Sequence, residues 1–389
     1  MKKFSFTAIS GAAFLMATSA IGPGFINNTT KFTYDLTASF GFVILISVLL
    51  DIVIQLNLWR IISGQGDYAQ NIANKYFPGA GYLLILLVTT GGFIFNIGNI
   101  AGSALGLQVL FGISLEMAAI ISAAIAILLF VFKQAGKTMD WFTRVLGLLM
   151  ILLTLYVCVV SRPNLSLAVQ KTFYPDLIDW KIILTIVGGT VGGYISFAGA
   201  HRLIESGITG KENISRVTKG AVSGIVIASV MRYVLFLAAL GVVMSGTILS
   251  EANPARTVFE TAAGATGLKL FGIVLWCAAI TSVVGSAFTS VSFMQSLHPV
   301  LQQNKNFVTI LFIFLSAMAF LFYGQPSKVL VFAGAFNGII LPASLLIMLL
   351  VSYRSRKNDV SHPVWLTISG WGVVLALLYM SANTLIRLF

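Results

Sequence analysis

The sequence predicts an all-α integral membrane protein of about eleven transmembrane helices, the first and sixth of them broken at mid-span. Three observations carry this. Eleven stretches of the 389-residue chain are long and apolar enough to cross a hydrocarbon core, which at about 30 Å takes ~20 apolar residues per helix. Hydrophobic residues make up 58% of the chain and charged ones only 9%, far below the roughly 25% charged of soluble domains. Gly/Pro-rich interruptions fall inside two of the stretches, at corresponding places in the two halves.

The first span, 7–38, is interrupted by Ala20-Ile21-Gly22-Pro23-Gly24-Phe25-Ile26-Asn27. Lys2-Lys3 ahead of an apolar run also suits a signal peptide, but the run lacks a leucine-rich core. The second span, 40–63, is apolar apart from Asp51 and Gln55, and a carboxylate at that depth needs either a partner such as Arg232 or a part in proton coupling. The third, 81–110, carries Asn96, Asn99 and Ser103 at i, i+3 and i+7, one polar stripe facing either a cavity or a close helix contact. The fourth and fifth, 115–132 and 142–160, carry no such feature. A polar connector rich in turn signals, 161–180, then leads into the sixth.

The sixth span, 181–207, is interrupted over Gly192-Gly193-Tyr194-Ile195-Ser196-Phe197-Ala198-Gly199-Ala200-His201-Arg202. The seventh, 218–245, holds Arg232, a permanent charge that must find a carboxylate, a carbonyl or water. The eighth, 263–296, is hydroxyl-rich, with Ser282 and Ser286 among its residues; the ninth is 308–323. The tenth, 329–352, contains Asn337 beside Gly338 and before Pro342, and the eleventh is 363–386.

Five spans per half place the halves in opposite orientation, which is the plan of an inverted repeat. Residues 1–160 form the first repeat (helices 1–5), 161–352 the second (helices 6–10), and 353–389 an added helix 11. Of the 24 Lys and Arg residues, fifteen fall on the side of the N-terminus, eight on the other, and Arg232 within a span. The positive-inside rule then sets the N-terminus in the cytoplasm and the C-terminus outside, in a multi-pass protein of the inner (plasma) membrane. Membrane topology thus accounts for the net charge of +12 without a nucleic-acid partner. Cys158 and Cys277 both fall inside spans, where a structural disulfide is not expected.

Broken helices in matching positions mark the solute site of a secondary transporter, because interrupted backbone leaves carbonyls and helix N-termini free to bind. No Walker-type loop, zinc motif or nucleophile elbow is present. This argues against an enzyme or a nucleotide-driven pump, and no cofactor is expected. A channel would differ from a carrier by its single-channel currents.

The run Gly11-Ala12-Ala13-Phe14-Leu15-Met16-Ala17-Thr18-Ser19-Ala20-Ile21-Gly22-Pro23-Gly24-Phe25 resembles, in step throughout, the Nramp signature Gly-Pro-Ala-Phe-Leu, six residues, then Asp-Pro-Gly-Asn. With eleven spans and a second break at the sixth, the chain resembles an Nramp-related member of the amino acid–polyamine–organocation superfamily. That resemblance implies a LeuT-like fold. It also implies where a metal would bind, since Nramp metal transporters use the Asp and Asn of that signature and a Met of a Met-Pro-His motif on the sixth helix. Here those positions are Gly22, Phe25 and Ala198, with Gly199 and Ala200 at the Pro and His. Gly, Phe and Ala supply no side-chain ligand to replace an ion's hydration shell, so no metal site is expected.

Gly22 and Ala198 open space for a guest larger than an ion, Phe25 offers an apolar face, and the start of the inner half-helix, next to His201 and Arg202, favours an anion. The expected guest is a small organic acid or amino-acid derivative, as some divergent Nramp-like proteins resemble suspected carriers of 5-oxoproline. It would be imported with protons or sodium across the bilayer. The expected solute site comprises Gly22, Pro23, Gly24, Phe25, Asn96, Asn99, Phe197, Ala198, Gly199, Ala200 and Asn337. Coupling candidates are His201 with Glu205, one helical turn apart, then Asp51, and, for sodium as in LeuT-like carriers, Ser282 and Ser286. The alternative is a transporter of a divalent metal ion (manganese, iron or magnesium) with an altered site.

Overall fold

The computed structural model describes residues 20–131, 135–355 and 362–386. The Gly11–Ser19 part of the signature and both chain ends lie outside them. The described residues form helices, with no strand among them. In chain order they are α1 (Pro23–Leu36), α2 (Phe40–Gln65), α3 (Ala69–Tyr76), α4 (Ala80–Phe111), α5 (Leu115–Val131), α6 (Ala135–Ser161), α7 (Leu165–Phe173) and α8 (Trp180–Val191). There follow α9 (Ile195–Glu205), α10 (Ile214–Met244), α11 (Pro254–Met294), α12 (Pro299–Gln303), α13 (Lys305–Tyr323), α14 (Pro326–Ser355) and α15 (Val364–Ile386).

By length and composition, eight of the described helices can cross a membrane, or nine if the bent pair α6–α7 is one span. That count treats Pro23–Gln65 as a single segment of 43 residues. At 1.5 Å per residue such a helix would run about 65 Å, twice the hydrocarbon thickness, and the backbone turns at Thr37 (φ 48°, ψ −130°). With α1 and α2 counted separately, and the shorter apolar helix at Leu115–Leu129 included, each of the eleven expected spans has a helix. The connector 161–180 is not a plain loop: it contains α7, bent 108° from the end of α6 after Arg162 at φ 48°. Helix α11 begins earlier than expected, at Pro254, and Gly264 (φ 63°) kinks it where the apolar run starts.

Lipid tails are as apolar as leucine, so helices in a bilayer are drawn together by close packing over small residues. Two stripes do this here. On α4, Gly98, Gly102 and Gly106 face Leu330 of α14, the ring of Pro23 at the start of α1, and Trp276 of α11 respectively. A Cβ on Gly102 would overlap Pro23, so this glycine seats the first broken helix. Gly188 of α8 lies against the backbone of Gly334 and Gly338 of α14, each pair spaced to bring two helices into main-chain contact. The most extensive helix contacts are α4 with α11 and α8 with α14.

Gly188→Ala therefore sets a methyl group against backbone that cannot yield, at a cost of about 1–3 kcal/mol. Its melting temperature in detergent is expected to fall clearly below that of Gly372→Ala, where nothing lies within 4 Å of the added Cβ. Equal melting points would show that the α8–α14 contact is not close.

Candidate functional site

The first break is narrower than the sequence suggested. Only Ile21 and Gly22 are non-helical between Ala20 and α1, so Gly24 and Phe25 belong to the helix. Pro23 starts α1 at a position where its missing N–H and fixed φ do no harm. Gly22 is extended (φ −101°, ψ −171°) and looks between α4 and α11. A Cβ built on it would stand 3.2 Å from Ser282 Oγ and 3.6 Å from Asn99 Oδ1. Ser282 is 3% and Asn99 4% exposed, and Ser282 Oγ and Asn99 Nδ2 have no hydrogen-bond partner. The Tyr194 hydroxyl lies beside the same amide. Two buried polar groups left open around a glycine form a niche that a solute's polar atoms or a small cation can fill.

The polar stripe on α4 divides. Asn96, one turn from Asn99, accepts from Ser286 Oγ at 2.7 Å and donates to Ser316 Oγ at 3.2 Å. Asn96 and Ser286 thus tie α4, α11 and α13 together, and only Asn99 and Ser282 face the niche.

The second break lies at Gly192–Tyr194, ahead of the Ala198–Ala200 segment, which is regular helix. Gly193 takes φ 55°, a left-handed conformation open to glycine, and a Cβ there would strike the amide of Asn337. Asn337 donates to the carbonyls of Gly91 at 3.1 Å and Ala333 at 2.8 Å, which makes it a wedge under the break. Ser196 Oγ donates to the Val191 carbonyl at 2.9 Å and lies 3.3 Å from Gln55 Oε1, so it caps the end of α8. Trp59 Nε1 donates to the Ser196 carbonyl at 2.9 Å, and the same indole fills the space above Gly199. Phe197 packs edge-on to Phe293 at 5.3 Å; Ala198 and Ala200 are buried in α9.

Two further expectations change. Arg202 does not stand at the start of the inner half-helix; it lies near its end, half-exposed, 3.6 Å from Glu205. His201 and Glu205 are not brought together. His201 stacks on Phe293 at 4.7 Å, with Tyr68 edge-on at 4.7 Å, while its ring nitrogens meet Ser292 Oγ at 3.4 Å and the Ala69 N–H at 3.5 Å. Burial, and then the carboxylates of Glu205 and Asp67, raise the Tyr68 hydroxyl above the usual tyrosine value.

A feature missed in the sequence is a narrow cleft beside α1. It is lined by Gly24, Phe25 and Asn28 of α1, Phe95 of α4, Gly189 of α8 and Arg232 of α10, among others. Phe95 is also edge-on to Tyr194 at 5.7 Å, so it connects the cleft to the second break. Among the described residues, no three His, Cys, Asp or Glu side chains gather as a metal-holding group.

The family model described as natural resistance-associated macrophage protein-like, Nramp, matches residues 13–387. The chain belongs to the Nramp family. It is a membrane transporter rather than an enzyme. An uncharacterized membrane protein of Bacillus subtilis, YcsG, is 54% identical over 99% of this chain and 95% of its own length. The divalent metal cation transporter MntH of Agrobacterium fabrum is 24% identical over 97% of this chain and 87% of its own. In three dimensions the chain is similar to the Eremococcus coleocola manganese transporter (TM-score 0.76, 16% identity, 98% of this chain and 87% of that one). It is also similar to MhsT solved in complex with L-phenylalanine (TM-score 0.63, 16% identity, 97% of each chain). The fold is LeuT-like.

The divided polar stripe predicts opposite outcomes on its two sides. Replacing an unpartnered buried hydroxyl by hydrogen costs little, so Ser282→Ala should melt within about a degree of wild type. Asn96→Ala removes both buried bonds that hold α4 to α11 and α13, at a cost of about 1–3 kcal/mol, and should melt well below it. Equal losses would place Ser282 in the structural network.

Proposed function

We propose that this Nramp-family transporter moves a small organic acid or amino-acid derivative, with 5-oxoproline as a representative, and not a divalent transition metal. The observation that carries the reading is the exchange of ligands for space and positive charge. Gly22 leaves a niche between Asn99 and Ser282 where the signature has Asp, and Phe25 presents its ring where the signature has Asn. Arg232 lies over that ring at 4.3 Å and lines the cleft. A divalent cation approaching this end of α1 meets a guanidinium and a helix N-terminus, both positive; a carboxylate is attracted by the same two.

The likeness to MntH favours a second reading, a divalent ion held by fewer protein ligands and more of its own waters. Calorimetry separates them. Manganese should produce no saturable heat with the purified protein, whereas small carboxylates should raise its melting point by mass action. Micromolar manganese binding reversed by a chelator would decide for the metal.

In our reading 1–160 and 161–352 act as inverted repeats that rock against each other about the two breaks, with the inner membrane as the setting. Transport is driven by protons or sodium. The Gly22 niche with Ser282 suits sodium; His201, Glu205 and Asp51 are the groups that suit a proton. Uptake into proteoliposomes that follows a sodium gradient and is lost in Ser282→Ala would select the first, and uptake that follows an imposed pH gradient the second.

Orientation is testable on a background without Cys158 and Cys277. Asn304→Cys should label only from the cytoplasm and Glu251→Cys only from outside, both residues being exposed. The reverse pattern would place the N-terminus outside.

A further inference from the structure

We propose that Arg232 is the group that recognises the solute's carboxylate, with Asp51 as its counter-ion behind the cleft, and that the guest is a compact monocarboxylate. The inference rests on the organic-acid reading and makes it specific. Arg232 comes from the middle of α10 and is 3% exposed, yet it lines the cleft. An arginine so placed is costly unless its charge is met. Asp51 of α2, 1% exposed, is the acid that acts on it electrostatically, and α8 ends beside it, the negative end of a helix dipole.

The pairing is nevertheless incomplete. Of the guanidinium's five N–H groups, one on Nη1 donates to Thr190 Oγ1 at 2.7 Å. Nε has no partner, and the Asp51 carboxylate stands beside the Thr190 hydroxyl rather than in a fork with the guanidinium. A pair built only to neutralise itself would close into a bidentate fork; this one keeps donors in reserve. The Phe25 face, 4.3 Å from the guanidinium carbon, orients that plane, so the fork that matches a carboxylate is pre-organised.

The remaining walls define the rest of the guest. Phe25, Phe95, Ile186 and Leu330 are apolar, and Asn28 supplies an amide that also donates to the Leu330 carbonyl at 3.4 Å. Among the residues lining the cleft Arg232 is the one cation. A second carboxylate would therefore be unpaired, with Asp51 as a further anion nearby. The cleft is narrow, which favours a small ring or short chain.

The test uses the full-length protein in lipid nanodiscs, with thermal shift and calorimetry against 5-oxoproline, proline, benzoate, succinate and the uncharged 5-oxoprolinamide. Wild type should be stabilised by at least one monocarboxylate and not by succinate or the amide. Arg232→Gln leaves Asp51 uncompensated and risks misfolding, so the decisive variants are Arg232→Lys and the charge-neutral Asp51→Asn/Arg232→Gln pair. Arg232→Lys keeps the charge without the fork and should bind that acid about tenfold more weakly; the neutral pair should fold and lose the acid's advantage over the amide altogether. Wild-type affinity for the acid in both variants would overturn the anchor while leaving the organic-acid reading intact. Wild type stabilised by none of the monocarboxylates would overturn both, and stabilisation by succinate would overturn the one-carboxylate limit.

Discussion

A helix interrupted inside a bilayer frees backbone groups that lipid cannot satisfy, so protein side chains, or a cavity's water and solute, must partner them. The organisation of this transporter follows from that requirement. At the second break Ser196 meets the carbonyl of Val191, Gln55 and Trp59 hold Ser196, and Asn337 stands under Gly193 with its amide on the Gly91 carbonyl. At the first, Pro23 removes one N–H outright and its ring is seated on Gly102. Residues that looked like solute contacts are in several cases the supports that keep the breaks open.

What is left after those supports are subtracted is small and chemically legible. The Gly22 niche has two unpartnered polar groups from two different helices, and the neighbouring cleft has one guanidinium stacked on an aromatic ring. Both adjoin the first break, and Phe95 and Tyr194 join them to the second. A neutral polar pocket beside a buried cation is a poor site for a divalent metal and a good one for an anion with hydrogen-bonding groups.

The spans and both breaks were readable in the sequence because lipid imposes one rule on length and apolarity, and because Gly22-Pro23-Gly24 and Gly192-Gly193 are local punctuation. The extent of the second break was not. Gly199 lies mid-helix as a contact for Trp59, a tertiary reason with no local signature. Asn96 and Asn99 share a helix face by spacing, yet three residues leave them about 60° apart, enough for one to meet Ser286 and the other Gly22. His201 and Glu205 likewise share a face, but Arg202 lies closer to the carboxylate. Arg232 was visible as a charge in need of a partner. That it also lines a cleft depends on where α1, α8 and α10 meet.

In our proposal the ligand exchange at Gly22, Phe25 and Ala198 has turned an Nramp scaffold from metal to organic solute. Flux into proteoliposomes measures it directly, with radiolabelled 5-oxoproline and radiolabelled manganese offered to the same preparation under an imposed ion gradient. On this reading the acid accumulates saturably and is chased out by unlabelled acid, and manganese enters no faster than into protein-free vesicles. Saturable manganese accumulation, with the acid at background, would contradict it.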